Sequence, residues 1–200
     1  MADQLYLNLW FPSFEPNQMM PRLLSVLKQF PFSASLPGVG YVAVHAISWT
    51  EPTLFEESFD FRTDPENAIE RLTGFIHADH AYELEAAWDL WSPVQEADLD
   101  ETWQLQPQTV RFIAHGLEFD EGAHQEHGHI QVDFGLDVPF LHEESEFTAD
   151  IAARVKANVH KLVTFTQAVE QNCGISGRVL WSESEENLAQ KLIAKLQKVN

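Results

Sequence analysis

Val110-Arg-Phe-Ile-Ala-His-Gly-Leu-Glu-Phe119 and His129-Ile-Gln-Val-Asp-Phe-Gly-Leu-Asp-Val138 are two runs in which apolar and polar residues alternate. Such alternation is typical of strands that bury one face, so we predict that the two runs form a β-hairpin around a loop of residues 120–128. Antiparallel strands that bury one face need a cover of other elements. The hairpin therefore predicts a mixed domain with a sheet at its centre.

The register of this hairpin decides which polar side chains meet. If the strands pair symmetrically about His124, Phe112 and Ala114 lie on the apolar face with Phe134 and Leu136. On the polar face Arg111 then opposes Asp137, and His115 opposes Asp133. A slip of one residue would turn the apolar side chains outward, so the hydrophobic pattern resists it.

The rest of the chain supplies further strands and helices. Alternating or β-branched runs predict strands at residues 5–10, 40–49, 54–61, 81–91 and 178–182. Apolar stripes of helical period predict helices at residues 17–30, from Thr63 or Asp64 to about His77, and at residues 148–172 and 185–199. We predict an α+β fold with an antiparallel or mixed sheet of about seven strands and about four helices. Its first half has the βαββαβ order of ferredoxin-like folds, and ββαβα follows.

The length of the chain fits one domain of residues 1–200. Residues 93–106 lack a clear period and contain acidic residues. The alternative is therefore two fused sub-domains, residues 1–92 and 107–200, joined by that segment.

The charge of the chain is strongly negative, with 31 acidic and 12 basic residues and a formal net charge of −19. Binding of nucleic acids depends on Lys and Arg side chains that neutralise phosphates, so direct DNA or RNA binding is disfavoured. Negative charge favours solubility and steers basic partners toward the protein. A basic protein is thus the predicted partner.

The compartment is indicated by two features of the sequence. There is no basic N-terminal segment, and no apolar run approaches the roughly 18 residues of a membrane span. Cys173 is the single cysteine and cannot form an internal disulfide, which fits a reducing environment. We expect a cytoplasmic protein with no membrane contact.

The predicted hairpin loop is the strongest metal candidate in the sequence. Residues 120–129 contain three histidines and three carboxylates, all of which are ligands for divalent first-row metals such as zinc. His124, His127 and His129 are the predicted ligands. The spacing matches no established zinc motif, so a solvated hairpin tip is the alternative. His77 and His80 lie near a helix end, where the dipole favours histidine, and we interpret them as structural.

Catalytic signatures are few. His115 and Asp133 are the candidate acid–base pair, because a carboxylate fixes the tautomer of a neighbouring imidazole. No nucleophile accompanies them. The sequence also lacks the Gly-x-Ser-x-Gly, Gly-x-Gly-x-x-Gly and Walker patterns, so it predicts no nucleotide cofactor.

Three functional hypotheses follow. The first is an acidic, non-enzymatic interaction protein that neutralises or sequesters a basic partner. The second is a metal-binding protein or metal-dependent hydrolase that uses the hairpin of residues 115–133. The third is a small-ligand protein whose pocket is lined by Trp10, Trp49 and Trp88.

Overall fold

The computed structural model of the chain describes residues 3–94, 102–141 and 148–182. Seven strands lie in this part of the chain: β1 (Gln4–Trp10), β2 (Val39–Ala46), β3 (Thr53–Thr63), β4 (His80–Val94), β5 (Thr102–His115), β6 (Ile130–Leu136) and β7 (Gly177–Ser182). The same residues contain five α-helices: α1 (Pro16–Leu27), α2 (Pro65–Leu72), α3 (His124–His127), α4 (Val138–Leu141) and α5 (Ala149–Asn172). The predicted α+β class is confirmed.

The described strands form one antiparallel sheet in the order β3-β2-β4-β5-β6-β1-β7. The elements from β1 to β4 follow one another in the predicted βαββαβ order. In space, however, β5 and β6 separate β1 from β4. The ferredoxin-like arrangement is therefore not confirmed, because that unit would keep its four strands together.

One face of the sheet is packed against helices. Phe112 of β5 contacts Phe165 of α5 edge-to-face, and Trp88 of β4 lies against Phe140 of α4. The core also includes Leu5, Leu7, Leu9, Leu84 and Val132 from the strands and Met20, Leu23, Ile69, Leu72, Val159 and Leu162 from the helices. Because side chains alternate along a strand, the opposite face is left to the polar residues of the same strands.

Two helix starts are fixed by side-chain caps, and Asp64 is one of the two residues predicted for the first of them. The Asp64 carboxylate accepts a hydrogen bond of 2.9 Å from the Asn67 backbone N–H, and the Thr148 hydroxyl accepts one of 3.3 Å from Ile151 N–H. These bonds satisfy backbone donors that a helix cannot pair internally. α2 is nevertheless shorter than predicted, since a 3₁₀ turn of residues Thr73–Phe75 replaces its last part.

The predicted register of the central hairpin is wrong. Arg111 pairs with Asp133, and Ala114 pairs with Ile130. Relative to the predicted pairing, β6 is shifted by four residues. An even shift leaves most side chains on their predicted face, because the side-chain period of a strand is two. Leu136 is an exception: the prediction placed it on the core face, but it lies beyond an irregularity in the pairing with β1 and is 52% exposed. The alternating pattern therefore identified the faces and left the register open.

The segment of residues 93–106 is largely strand where it is described. β4 runs to Val94, and β5 begins at Thr102 and pairs with it in that region. Strands from both halves of the chain thus lie in one sheet. The predicted helix at residues 185–199 lies outside the described residues. No helix in the described ranges is long and apolar enough to span a membrane.

Candidate functional site

The polar face of the sheet carries two adjacent rows of side chains, since directly paired residues of antiparallel strands point the same way. The first row comprises Asn8, Gln131, Ile113, Glu83, Ala43 and Glu56. The second comprises Tyr6, Asp133, Arg111, Glu85 and Tyr41. We call these two rows the polar face.

Arg111 is at the centre of the ion pairs on the polar face. Its guanidinium donates to Asp133 Oδ2 at 2.7 Å and lies 4.0 Å from a Glu83 oxygen. His45 Nε2 lies 3.3 Å from the other oxygen of Glu83. Asp133 is only 5% exposed, and its Oδ1 accepts a 2.8 Å bond from Gly135 N–H. Arg111 is thus committed to the more buried carboxylate.

Two groups on the polar face have raised pKa values. Burial, and then the neighbouring Glu83 charge, raise the pKa of the Glu85 carboxyl. Burial and the hydrogen bond to Glu56 raise the pKa of Tyr41 to about 12; its hydroxyl donates to Glu56 at 2.9 Å. In both groups burial is the largest cause, and neighbouring carboxylates raise the pKa further.

His115 and Asp133 are not paired, so the predicted acid–base contact is wrong. The register places Arg111, not His115, opposite Asp133. His115 is 1% exposed, and its Nδ1 donates to Gly128 O at 3.0 Å, since a carbonyl oxygen only accepts. Burial lowers the pKa of His115 to about 4. A catalytic role for either residue alone stays a prediction.

The predicted metal ligands in the β5–β6 loop are used for packing. We call His124, His127 and His129 the histidine loop. His129 Nδ1 accepts a 2.9 Å bond from Phe11 N–H, and its ring stacks on Phe14 with a centroid distance of 4.8 Å. His124 stacks on His129 at 5.3 Å. The described residues of this loop do not bring three ligand atoms together within 4.8 Å.

Such a group of ligand atoms does occur at the turn before β4. The imidazoles of His77 and His80 and the carboxylate of Asp79 place one ligand atom each within 4.8 Å of the others. We call these three residues the histidine turn. His77 Nδ1 is hydrogen-bonded to Asp79 Oδ1, and His80 Nε2 lies 3.5 Å from the same oxygen. The His-x-Asp-His spacing is the sequence signal for this group, although a helix end also favours histidines through its dipole.

The histidine loop and the histidine turn lie at the same end of the sheet, and other histidines lie there as well. Of the nine histidines in the chain, His45, His115 and His129 lie at the ends of β2, β5 and β6, and the histidine turn opens β4. The neighbouring Ile47 has a backbone φ of 70°, which is unfavourable for a β-branched residue. Strain of this kind often marks functional sites.

The three tryptophans of the predicted pocket lie in different environments. Trp88 stacks on Phe134 in the core at 5.2 Å. Trp10 alternates with the buried leucines of β1 and donates to His124 O at 3.2 Å, so it lies on the other face. The ring of Trp49 lies against that of His45, with a centroid distance of 4.8 Å. They therefore do not line one pocket.

Comparison of the chain with protein-family models, with curated proteins and with solved structures finds no match. The polar face and the histidine-rich end of the sheet are the two candidate sites.

Proposed function

We propose that this chain is an acidic, cytoplasmic binding protein whose polar face receives a basic segment of another protein and neutralises it. The observation that carries the proposal is the position of Glu85. Its half-buried carboxylate lies beside Glu83, and no described lysine, arginine or histidine forms an ion pair with it, although the charges of Arg111 and Arg62 lower its pKa. A cation supplied by a partner would favour the charged form of Glu85, whose pKa is raised first by burial and then by the charge of Glu83.

The carboxylates next to Glu85 extend the same surface toward the sheet edge. Glu83 is adjacent on β4, and Glu56 follows on β3, where it accepts the hydrogen bond of Tyr41. Arg111 contributes the opposing charge, but its closest bond is to Asp133. Glu56, Glu83 and Glu85 form what we call the acidic patch. Two or three lysine or arginine side chains of a partner would fit its charge.

The edge strand β3 supplies a second means of contact. Edge strands present backbone N–H and C=O groups to which an extended segment can add as a further strand. β3 also exposes apolar side chains, with Phe61 92% exposed and Leu54 51% exposed. An extended basic segment along β3 would combine backbone pairing, apolar contact and an ion pair with Glu56. Glu83 and Glu85 lie two strands further in, so they would bind basic side chains from a part of the partner that covers the polar face. The net charge of −19 would speed its approach.

A binding measurement with a defined cationic probe tests the proposal. The probe is an extended peptide with alternating lysine and valine residues, titrated into the protein by calorimetry at low and at physiological salt. We expect binding that weakens with salt. The double variant E83Q/E85Q should lose at least about tenfold in affinity, since close charge pairs across an interface contribute more than about 1.4 kcal/mol.

The matched control is E118Q/E121Q, which removes the same charge from two exposed residues of the β5–β6 loop. It should bind the peptide with nearly unchanged affinity. Equal losses in the two variants would mean that net charge alone attracts the peptide. That result, or no binding at low salt, would refute a role for the acidic patch.

A further inference from the structure

We infer that the histidine turn is a binding site for a divalent first-row transition metal ion, with zinc as the reference ion. The donors are the imidazoles of His77 and His80 and the carboxylate of Asp79, whose ligand atoms lie within 4.8 Å of one another. Two imidazoles with one carboxylate suit Zn²⁺, Fe²⁺ and related ions. The site is independent of the acidic patch.

The spacing of the donors is close to that of a metal site. Asp79 Oδ1 and His80 Nε2 are 3.5 Å apart. Tetrahedral zinc with bonds of about 2.0–2.1 Å needs donors about 3.3–3.4 Å apart. His77 Nδ1 already contacts Asp79 Oδ1. An ion among the three donors requires His77 Nδ1 to move away from Asp79 Oδ1, and the exposed side chain of His77 has room to rotate.

His80 is held in the tautomer that a metal requires. Its Nδ1 lies 2.6 Å from the backbone oxygen of Phe75. A carbonyl oxygen only accepts, so Nδ1 carries a hydrogen, and in the neutral ring Nε2 is then the nitrogen with the lone pair. Metal-binding histidines usually have such a hydrogen bond from the second ring nitrogen, which fixes the orientation of the ring.

The backbone of the turn is fixed before any ion binds. The buried Tyr82 hydroxyl donates to Phe75 O at 2.8 Å and accepts from His77 N–H at 2.9 Å. Ile47 N–H donates to Asp79 O at 2.8 Å, and Gly116 N–H donates to His80 O at 2.9 Å. Three segments of the chain therefore hold the turn from both sides. A rigid site loses little conformational entropy on binding.

Solvent reaches the metal position. The His77 side chain is 62% exposed, and the Asp79 side chain is 33% exposed. Three protein donors leave at least one position of a tetrahedral ion to water or to a small anionic ligand, as in open zinc sites. The acidic surface of the protein also concentrates cations around it.

Calorimetry on untagged, chelator-treated protein tests the site with zinc chloride as the probe. We expect one equivalent of zinc bound with a dissociation constant in the micromolar range or below. H80Q and D79N should each weaken binding at least tenfold. Cobalt(II) should give visible absorption bands in the wild-type protein, and these should be lost in H80Q.

Two control variants make the outcome decisive. H160Q removes an exposed histidine of α5 and should leave the affinity unchanged, and so should H124Q/H127Q in the histidine loop. Circular dichroism without metal establishes that each variant is folded. Millimolar affinity would identify an adventitious ion only and would overturn the proposal. Loss of binding in H124Q/H127Q but not in H80Q would overturn it in favour of the histidine loop.

Discussion

The histidine loop and the histidine turn lie at the same end of the sheet but differ in what their rings do. The loop has more potential metal ligands in its sequence, with three histidines and three carboxylates in ten residues. Its His129 nitrogen is occupied by Phe11 N–H, and its ring lies against Phe14. In the turn, backbone bonds hold the chain while the imidazoles and the carboxylate face one another. A metal site needs donor atoms that converge, and among the described residues it is the turn that brings three of them within 4.8 Å of one another.

The largest expected effect comes from Gly116, which joins the two regions. A Cβ at this position would lie 2.2 Å from Ala78 O and 2.7 Å from His80 O. G116A should therefore lower the free energy of unfolding by about 3 kcal/mol, at the upper end of the usual cost of overpacking. Urea unfolding with chelator present measures the loss.

Gly74 is the matched control for Gly116. A Cβ at Gly74 meets no described atom within 4 Å, so G74A should change the free energy of unfolding by less than about 0.5 kcal/mol. Similar values for the two variants would show that the turn and the β5–β6 loop do not depend on this close contact.

An intermediate effect on the free energy of unfolding is expected when one histidine of each region is replaced by alanine. H129A removes a stacked ring and the acceptor of Phe11 N–H, so it should cost about 2 kcal/mol. H77A removes a mostly exposed side chain and should cost less than about 0.5 kcal/mol in metal-free buffer. If H77A costs as much as H129A, the turn histidine is structural and the contrast between the two regions fails.

The smallest effect is a pH dependence carried by His115, at the end of β5, and by His129 of the histidine loop. The pKa values of His115 and His129 fall from 6.5 to about 4, mainly through burial. Between these values the unfolded chain binds more protons than the folded one. The contribution of the neutral histidines to the free energy of unfolding is therefore complete above about pH 6.5 and is lost as the pH falls toward 4. We expect each histidine to contribute about 1 kcal/mol, because the loop can open locally when it is protonated.

H129Q isolates this contribution, because the amide oxygen of glutamine can still accept from Phe11 N–H but does not titrate. Its free energy of unfolding should depend less steeply on pH between 6.5 and 4 than that of the wild-type protein. H160Q, which removes an exposed histidine, should keep the wild-type slope. Identical slopes in wild type and H129Q would contradict the assignment.

Much of the fold was predictable because its signals are local. The strand at residues 178–182 and the long helix at residues 148–172 agree with β7 and α5 within one residue at each end. Asp64 was one of the two residues predicted to cap the second helix, because a cap requires only the next three residues. The alternating runs assigned Phe112 and Phe134 to the core face, where both are buried.

The candidate site was predictable only in part. The strand register depends on loop geometry, and the β5–β6 loop contains a 3₁₀ turn and α3, which no local pattern indicated. With four residues of shift, Asp133 meets Arg111 instead of His115. The histidine turn was visible as residues, but its hydrogen bonds to Ile47 and Gly116 come from distant segments.

The sequence by itself determined the composition, the negative charge, the approximate positions of most strands and of the longer helices, and the face to which most strand residues belong. These properties depend on neighbours along the chain or on a period of two or 3.6 residues. The tertiary structure alone decided the strand order, the register and the partners of each histidine. Those depend on which distant backbone groups pair, and a hydrophobic pattern is unchanged when a strand moves by an even number of residues.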